Sequence, residues 1–459
     1  MTETLADVVI VGSGQAGVPL ATRLANQGKR VVVFERGPLG GTCVNSGCTP
    51  TKTMIASARA AHVARHARRL GVEVGDVRVD FGAVIDRKNA IVRRWQDGVE
   101  RRLDAARDNV RVVRSSARFV GPRTLEADGA RFQAETVIIN VGVRPLVPSL
   151  PGLSNLPCLD NRTLMEVREL PSHLIVLGGG YIGCEFGQMF RRFGAAVTIV
   201  DHDEHLLGHE DADVSMALED AFRAEGIALS LGVEIASARR ADDGGVILRL
   251  ANGKEIAGTH VLVATGRRPN TDDLGCNEGG VTLDARGFVV TDDGYATSAK
   301  GVYAVGDVTG SPQFTHTAWD DHRLLFDRLI GKGTRGRADR LIPFTAFTDP
   351  QVAGVGLNEK EARRRGISYE LATLPFGSVA RAIEVDETTG TMKVLIDPTS
   401  ERILGARIVG AEAGELVHVF VALMQASASA RAIVDAEFVH PTYSEGLQTL
   451  VMQLDRFRL

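Results

Sequence analysis

Two cysteines four residues apart, Cys43 and Cys48 in Gly40-Gly41-Thr42-Cys43-Val44-Asn45-Ser46-Gly47-Cys48-Thr49-Pro50-Thr51-Lys52, are the residues of this chain best suited to redox chemistry. The spacer holds a glycine and an asparagine, and a helix-like run over residues 54–68 follows. Such a pair can close a small disulfide at a helix start, where the positive end of the helix dipole stabilises a thiolate. A zinc half-site or two inert buried thiols would use the same residue type. Zinc usually takes a tighter knuckle and a second ligand pair, whereas Cys158, Cys184 and Cys276 stand alone. The redox reading is preferred.

The elements that must position this pair begin directly upstream. The apolar run Val8-Val9-Ile10-Val11 suits a buried parallel strand, and Gly12-Ser13-Gly14-Gln15-Ala16-Gly17 follows as G-x-G-x-x-G, opening a helix over residues 18–26. A second strand, residues 30–34, ends on Glu35, where an acid accepts a ribose hydroxyl. Strand, glycine turn, helix and acid together fit an adenosine diphosphate moiety lying against the cysteines.

The pattern returns after a proline-rich link over residues 145–157. A strand at 173–177 leads into Gly178-Gly179-Gly180-Tyr181-Ile182-Gly183, a helix runs to residue 193, and a strand at 196–200 ends on Asp201. An acid there accepts the 2′-hydroxyl of NAD and repels the 2′-phosphate of NADP; His202-Asp203-Glu204 brings no Arg or Lys to reverse that. Two complete units imply two dinucleotides. His205 and His209 stand at i and i+4, but no Cys or further His completes a ligand set, so no metal site is assigned.

GSGQAG followed by GGTCVNSGCTPTK resembles the class I pyridine nucleotide-disulfide oxidoreductases, in wording closest to their mercuric-reductase-like members, and the likeness covers nearly the whole chain. It implies an α/β fold of two Rossmann-like dinucleotide-binding domains plus a C-terminal α+β interface (dimerisation) domain. FAD binding is expected over residues 1–145 and, in a return segment, 271–340; NAD binding over 146–270; and the interface over 341–459. The FAD contacts implied are Gly12, Gly14, Gly17, Glu35, Arg36, Gly41, Thr42, Lys52, Gly142, Asp307, Thr315, His316, Thr317 and Ala318. Those implied for NAD(H) are Gly178, Gly180, Gly183, Asp201 and Gly266. In the family the acid matching Asp307 binds the flavin's ribityl chain, and the helix opened by Thr315-His316-Thr317-Ala318 points its amino end at the ring. One departure is Asn140-Val141-Gly142, where the family has A-T-G.

The catalytic set that the resemblance implies is Cys43, Cys48, Lys52, Tyr181, Glu185, His440 and Glu445. Tyr181 moves out of the path of NADH, Lys52 pairs with Glu185 beside the flavin, Cys48 exchanges electrons with it, and Cys43 is the more exposed thiol that attacks substrate. His440-Pro441-Thr442-Tyr443-Ser444-Glu445 matches the family's H-P-x-x-x-E and gives the partner subunit's His440 an orienting carboxylate as acid/base. The chain ends Asp455-Arg456-Phe457-Arg458-Leu459, without the cysteine pair that mercuric reductases carry there. The expected enzyme is a homodimer that passes electrons between NADH, FAD and a small disulfide, dithiol or lipoyl-type substrate, as dihydrolipoyl dehydrogenase does. The alternative substrate is Hg(II) or Cu(II), and a flavin-binding redox sensor is a third class.

Composition agrees with this. A chain of 459 residues needs several domains, and 44% hydrophobic with 24% charged residues is ordinary for a globular protein. A net charge of −4 gives nucleic acid nothing to bind globally, and the arginine-rich stretches 65–69 and 87–102 read as solvated helix faces. No charged and apolar leader precedes the first strand and no run is long enough for a bilayer, so no membrane is expected; five cysteines suit a reducing cytoplasm. A mostly helical pattern is expected over residues 72–118, with strand-like pieces at 110–113 and 124–126, then strands and a helix at 415–427 after residue 342.

Overall fold

The four side chains of Val31–Phe34 are all buried, as are Val8 to Val11 of the strand Glu3–Val11, because both strands lie inside a parallel sheet covered on its two faces. The computed structural model, which describes residues 3–458, runs that sheet in the order Val110–Val113, Val31–Phe34, Glu3–Val11, Ala130–Ile139, Thr124–Ala127, Arg118–Gly121, with Val302–Ala304 also paired to Ala130–Ile139. Its first four strands and Val302–Ala304 are parallel, and the last two join as antiparallel hairpins. This sheet belongs to a compact unit made of the chain up to Thr53, Ile85–Leu146 and Gly266–Arg340. The strand order changes direction around Glu3–Val11, the kind of crevice in which open α/β sheets take ligands.

A second unit collects Met54–Val84, Val147–Thr265 and the chain from Leu341 onward. It holds a parallel sheet ordered Ala228–Ser230, Ala196–Val200, His173–Leu177, His260–Val263, Cys158–Leu159, and an antiparallel three-stranded sheet over 235–258. Its C-terminal part is a five-stranded antiparallel sheet ordered Phe344–Ala346, Gln351–Gly356, Ile403–Gly410, Thr391–Ile396, Glu370–Pro375. The helices Ala413–Gln425 and Glu445–Val451 pack into its core with Phe376, Phe420 and Leu447. The expected α/β architecture is therefore present. Among the described residues no helix is long and apolar enough to cross a membrane.

Two sequence expectations are corrected. The helix behind the cysteines spans Cys48–His66, starting six residues before the run read from periodicity. Pro50 misleads there, but a proline in the first turn costs a helix nothing, since those N–H groups have no partner to lose. Residues 72–80 are not helical. Gly71 takes φ 77° and ends the short turn before them, and Val72 and Val74 remain exposed with no face to bury. The long helix is confined to Phe81–Asp104.

Candidate active site

Both glycine turns use the same geometry. Gly12 and Gly178 have φ of 106° and 107°, and a side chain on either would strike a carbonyl of the next strand, Asn140 O at 2.3 Å or Ala264 O at 2.5 Å. The helices Gly17–Ala25 and Tyr181–Phe193 follow, neither with a side-chain cap on its amino end, where the helix dipole favours an anion. The strand-end acids are held alike by the residue between the first two glycines. Glu35 Oε2 accepts from Ser13 N at 3.0 Å and Ser13 Oγ at 2.6 Å, and Asp201 Oδ2 accepts from Gly179 N. Asp201 also accepts from Asp203 N at 3.0 Å and pairs with exposed His202 at 2.9 Å. His205 is taken by Glu219 at 3.0 Å.

The first glycine turn carries the cysteines close to it. Ser13 Oγ accepts from Gly40 N at 3.2 Å, and Gly41 lies so near Gly14 that a side chain would meet its Cα at 2.7 Å. Cys43 sits in the short helix Gly41–Asn45, beside Thr42, and Cys48 is the first residue of the Cys48–His66 helix. Asn45 in the spacer holds the loop shut: its Nδ2 donates to Leu39 O at 3.0 Å and Gly41 O at 2.8 Å, and its Oδ1 accepts from Gln96 at 2.6 Å. Residue spacing assigns no role to Asn45, Gln96 or Ser13; the asparagine in the cysteine spacer is the available signal.

The exposure of the thiols is the reverse of that expected. Cys48 is exposed and Cys43 half-buried, because the chain folds back at Gly47 so closely that a side chain there would come within 3.3 Å of the Cys43 Cα, while Cys48 starts the helix on the open side. Neither is in a disulfide. A hydrogen bond to Cys48, burial and the charge of Cys48 push the Cys43 thiol far up, while Thr315 and Lys52 oppose the rise. Cys48 Sγ lies 3.0 Å from Thr315 Oγ1, the opening residue of the Thr315–Leu329 helix.

The same unit presents the groups that a flavin dinucleotide would need. Thr317 Oγ1 is buried in that helix's first turn with no hydrogen-bond partner, beside Ala318, while His316 stacks on Phe314. Burial pushes Asp307 up to about 6, with Arg267 at 3.5 Å opposing and Asp321 and Cys48 adding to the rise. A carboxylate in that state is improved by hydroxyl donors, as a polyol chain supplies, so these residues fit the group. Gly142 has open space around it, and Asn140 Nδ2 donates to Gly12 O at 3.2 Å, fastening the departed A-T-G segment to the first glycine turn. Arg36 is paired at the surface with Asp273 at 3.1 Å. Gly266 accepts from Leu146 N at 2.9 Å and falls in this unit through the pairing of Arg267–Pro269 with Val143–Pro145, whereas Gly178, Gly180, Gly183 and Asp201 lie in the second.

In the second unit, buried Glu185 accepts from Phe347 N at 2.9 Å, and Tyr181 leans on Phe344 with ring centroids 5.6 Å apart. His440 is 72% exposed, its Nδ1 2.8 Å from Glu445 Oε2. This leaves Nε2 to face outward on a ring held by a carboxylate, the arrangement of an oriented acid/base.

The family described as pyridine nucleotide-disulphide oxidoreductase matches residues 6–321, and its dimerisation domain matches residues 342–451. The chain is 33% identical to the probable pyridine nucleotide-disulfide oxidoreductase RclA of Escherichia coli, over 96% of this chain and 98% of that one. It is 33% identical to dihydrolipoyl dehydrogenase of Thermus scotoductus (96% and 95%) and 31% identical to mercuric reductase of Staphylococcus aureus (98% and 82%). Its fold matches the Cu(II) complex of the HOCl-induced flavoprotein disulfide reductase RclA from Escherichia coli at a TM-score of 0.90, with 32% identity over 98% of this chain and all of that one.

Proposed function

The chain belongs to the pyridine nucleotide-disulphide oxidoreductases, FAD-dependent enzymes that use NAD(P)H, and from that premise we propose that it exchanges electrons between NADH and a small disulfide or dithiol through Cys43 and Cys48. FAD, when bound, carries the electron pair between nicotinamide and thiols. The turn from Gly178 and the acid Asp201 bind NADH, with Tyr181 at the entrance. Cys48, whose sulfur meets Thr315 at the head of the Thr315–Leu329 helix, is the thiol on the flavin side, and Cys43 exchanges with substrate. Lys52, one helical turn beyond Cys48, brings positive charge to the thiols. The match to a dimerisation domain points to a homodimer. In it the partner subunit's His440 gives a proton to the leaving thiolate of the substrate and takes one from an incoming thiol.

The observation that carries this reading is the 2.8 Å contact of His440 Nδ1 with Glu445, because proton delivery is what a disulfide needs and a metal ion does not. Turnover of the wild type and His440→Ala on lipoamide, low-molecular-weight disulfides, Hg(II) and Cu(II) tests it. His440→Ala should lower disulfide turnover by about a hundredfold or more, the usual worth of a placed acid/base. Flavin reduction by NADH should be nearly unchanged. A second reading, reduction of Cu(II) or Hg(II) by the Cys43–Cys48 pair, is favoured by the full-length likeness to a disulfide reductase that has been obtained as a Cu(II) complex. Metal turnover indifferent to His440→Ala, with no disulfide activity, would establish that reading instead.

A further inference from the structure

The loop after Asp201 is fastened at both ends. Near its start Asp201 accepts from Gly179 N, and Leu207 N donates back to Gly179 O at 2.9 Å, so the loop closes on the second glycine turn. Its far end, residues 208–213, is gripped by the C-terminal part of the same unit. Lys360 Nζ donates to Gly208 O at 2.8 Å, Asn358 Nδ2 to His209 O at 2.9 Å, and Arg407 Nε to Glu210. Asp211 accepts the N–H groups of Glu359 and Lys360 at 3.1 and 2.9 Å, and Lys393 Nζ stands 3.1 Å from Asp211, 2.9 Å from Asp213 and 2.5 Å from Glu359.

Lys393 and Arg407 are 0% and 4% exposed and are direct cross-strand partners in the C-terminal sheet. Like charges in that position repel, and buried ion pairs are a poor source of stability compared with apolar side chains of equal volume. Burial works against the Lys393 ammonium, yet Glu359, Asp213 and Asp211 outweigh it and hold its pKa above the ordinary value. What two adjacent buried cations do well is admit one acidic loop in one position. We propose that Lys393 and Arg407 are positioning residues for the nicotinamide dinucleotide, holding residues 208–213 so that Asp201 and Gly179 are set for the nucleotide's ribose and pyrophosphate. This rests on the assignment of the Gly178–Asp201 turn to NADH.

The test is flavin reduction in the FAD-loaded enzyme over a range of NADH concentrations, which separates NADH affinity from the limiting rate. Lys393→Met should weaken NADH by about fivefold or more with the limiting rate within about twofold, and Lys393→Arg should restore affinity. A thermal melt establishes that each variant is folded. Should Lys393→Met not fold, the exposed Lys360→Ala removes only the donor to Gly208 O and should weaken NADH about twofold or more. Wild-type NADH affinity in a folded Lys393→Met, or in Lys360→Ala where that variant alone folds, overturns the proposal. So does a loss that Lys393→Arg fails to repair. Asp201→Ser in parallel keeps the two readings apart: an unchanged NADH/NADPH ratio there defeats the nucleotide assignment, whereas a changed ratio beside an unaffected Lys393→Met defeats only the clamp.

Discussion

Cys48 Sγ and Thr315 Oγ1 lie 3.0 Å apart although 267 residues separate them, so two helices, Cys48–His66 and Thr315–Leu329, bring their amino ends to one sulfur. Both dipoles favour negative charge there, and the threonine hydroxyl adds a donor to the thiolate. A hydrogen bond to a charged group contributes about 1.5–3 kcal/mol, or roughly one pKa unit or more. In Thr315→Val the long-wavelength band of a thiolate against oxidised flavin should therefore appear about one pH unit higher than in wild type. Cys48→Ser should abolish that band and Cys43→Ser should retain it; a band surviving Cys48→Ser would exchange the roles of the two cysteines.

NADH should exceed NADPH by at least about tenfold in kcat/KM, since a 2′-phosphate beside Asp201 costs on the order of 1.4 kcal/mol or more. Steady-state kinetics with both cofactors should show the gap narrowing in Asp201→Ser. A wild-type preference for NADPH contradicts the role given to this acid.

FAD affinity should depend on pH through Asp307. Its pKa stands at about 6, raised chiefly by burial, and hydroxyl donors from a bound ribityl chain favour the charged form and lower it. Affinity is then complete above pH 6 and falls as pH drops through 6, by up to about tenfold per unit. Fluorescence titration of FAD into the stripped protein measures this, and Asp307→Asn should bind more weakly with a flat profile. A wild-type profile without that fall removes Asp307 from the flavin contacts.

Mixed dimers of Cys43→Ser and His440→Ala subunits should regain part of the disulfide turnover that each parent lacks, because one of the two sites would then hold both residues. Heterodimers as inactive as their parents would place His440 in the service of its own subunit, or outside catalysis.

Some of this could be read from residue order alone. A strand, a turn that needs φ near +106° at Gly12, a helix and an acid at Glu35 are set by local sterics and short-range spacing, and the same holds for Gly178 to Asp201. The cysteine spacing and the His440 to Glu445 spacing are equally local, and the contact at 2.8 Å is the one that spacing promised. These features determined the α/β class, the two nucleotide turns and the candidate redox and acid/base residues. The tertiary structure alone decided which partners those residues meet. Nothing local in Thr391–Ile396 marks Lys393 as buried, yet it is fully buried because Asp211, Asp213 and Glu359 arrive from elsewhere in the chain. Thr315 at Cys48, Arg267 at Asp307 and the reversed exposure of Cys43 and Cys48 are of the same kind. Periodicity reports which way a side chain points and not what comes to meet it, and charge partners far apart in sequence leave no mark on local spacing.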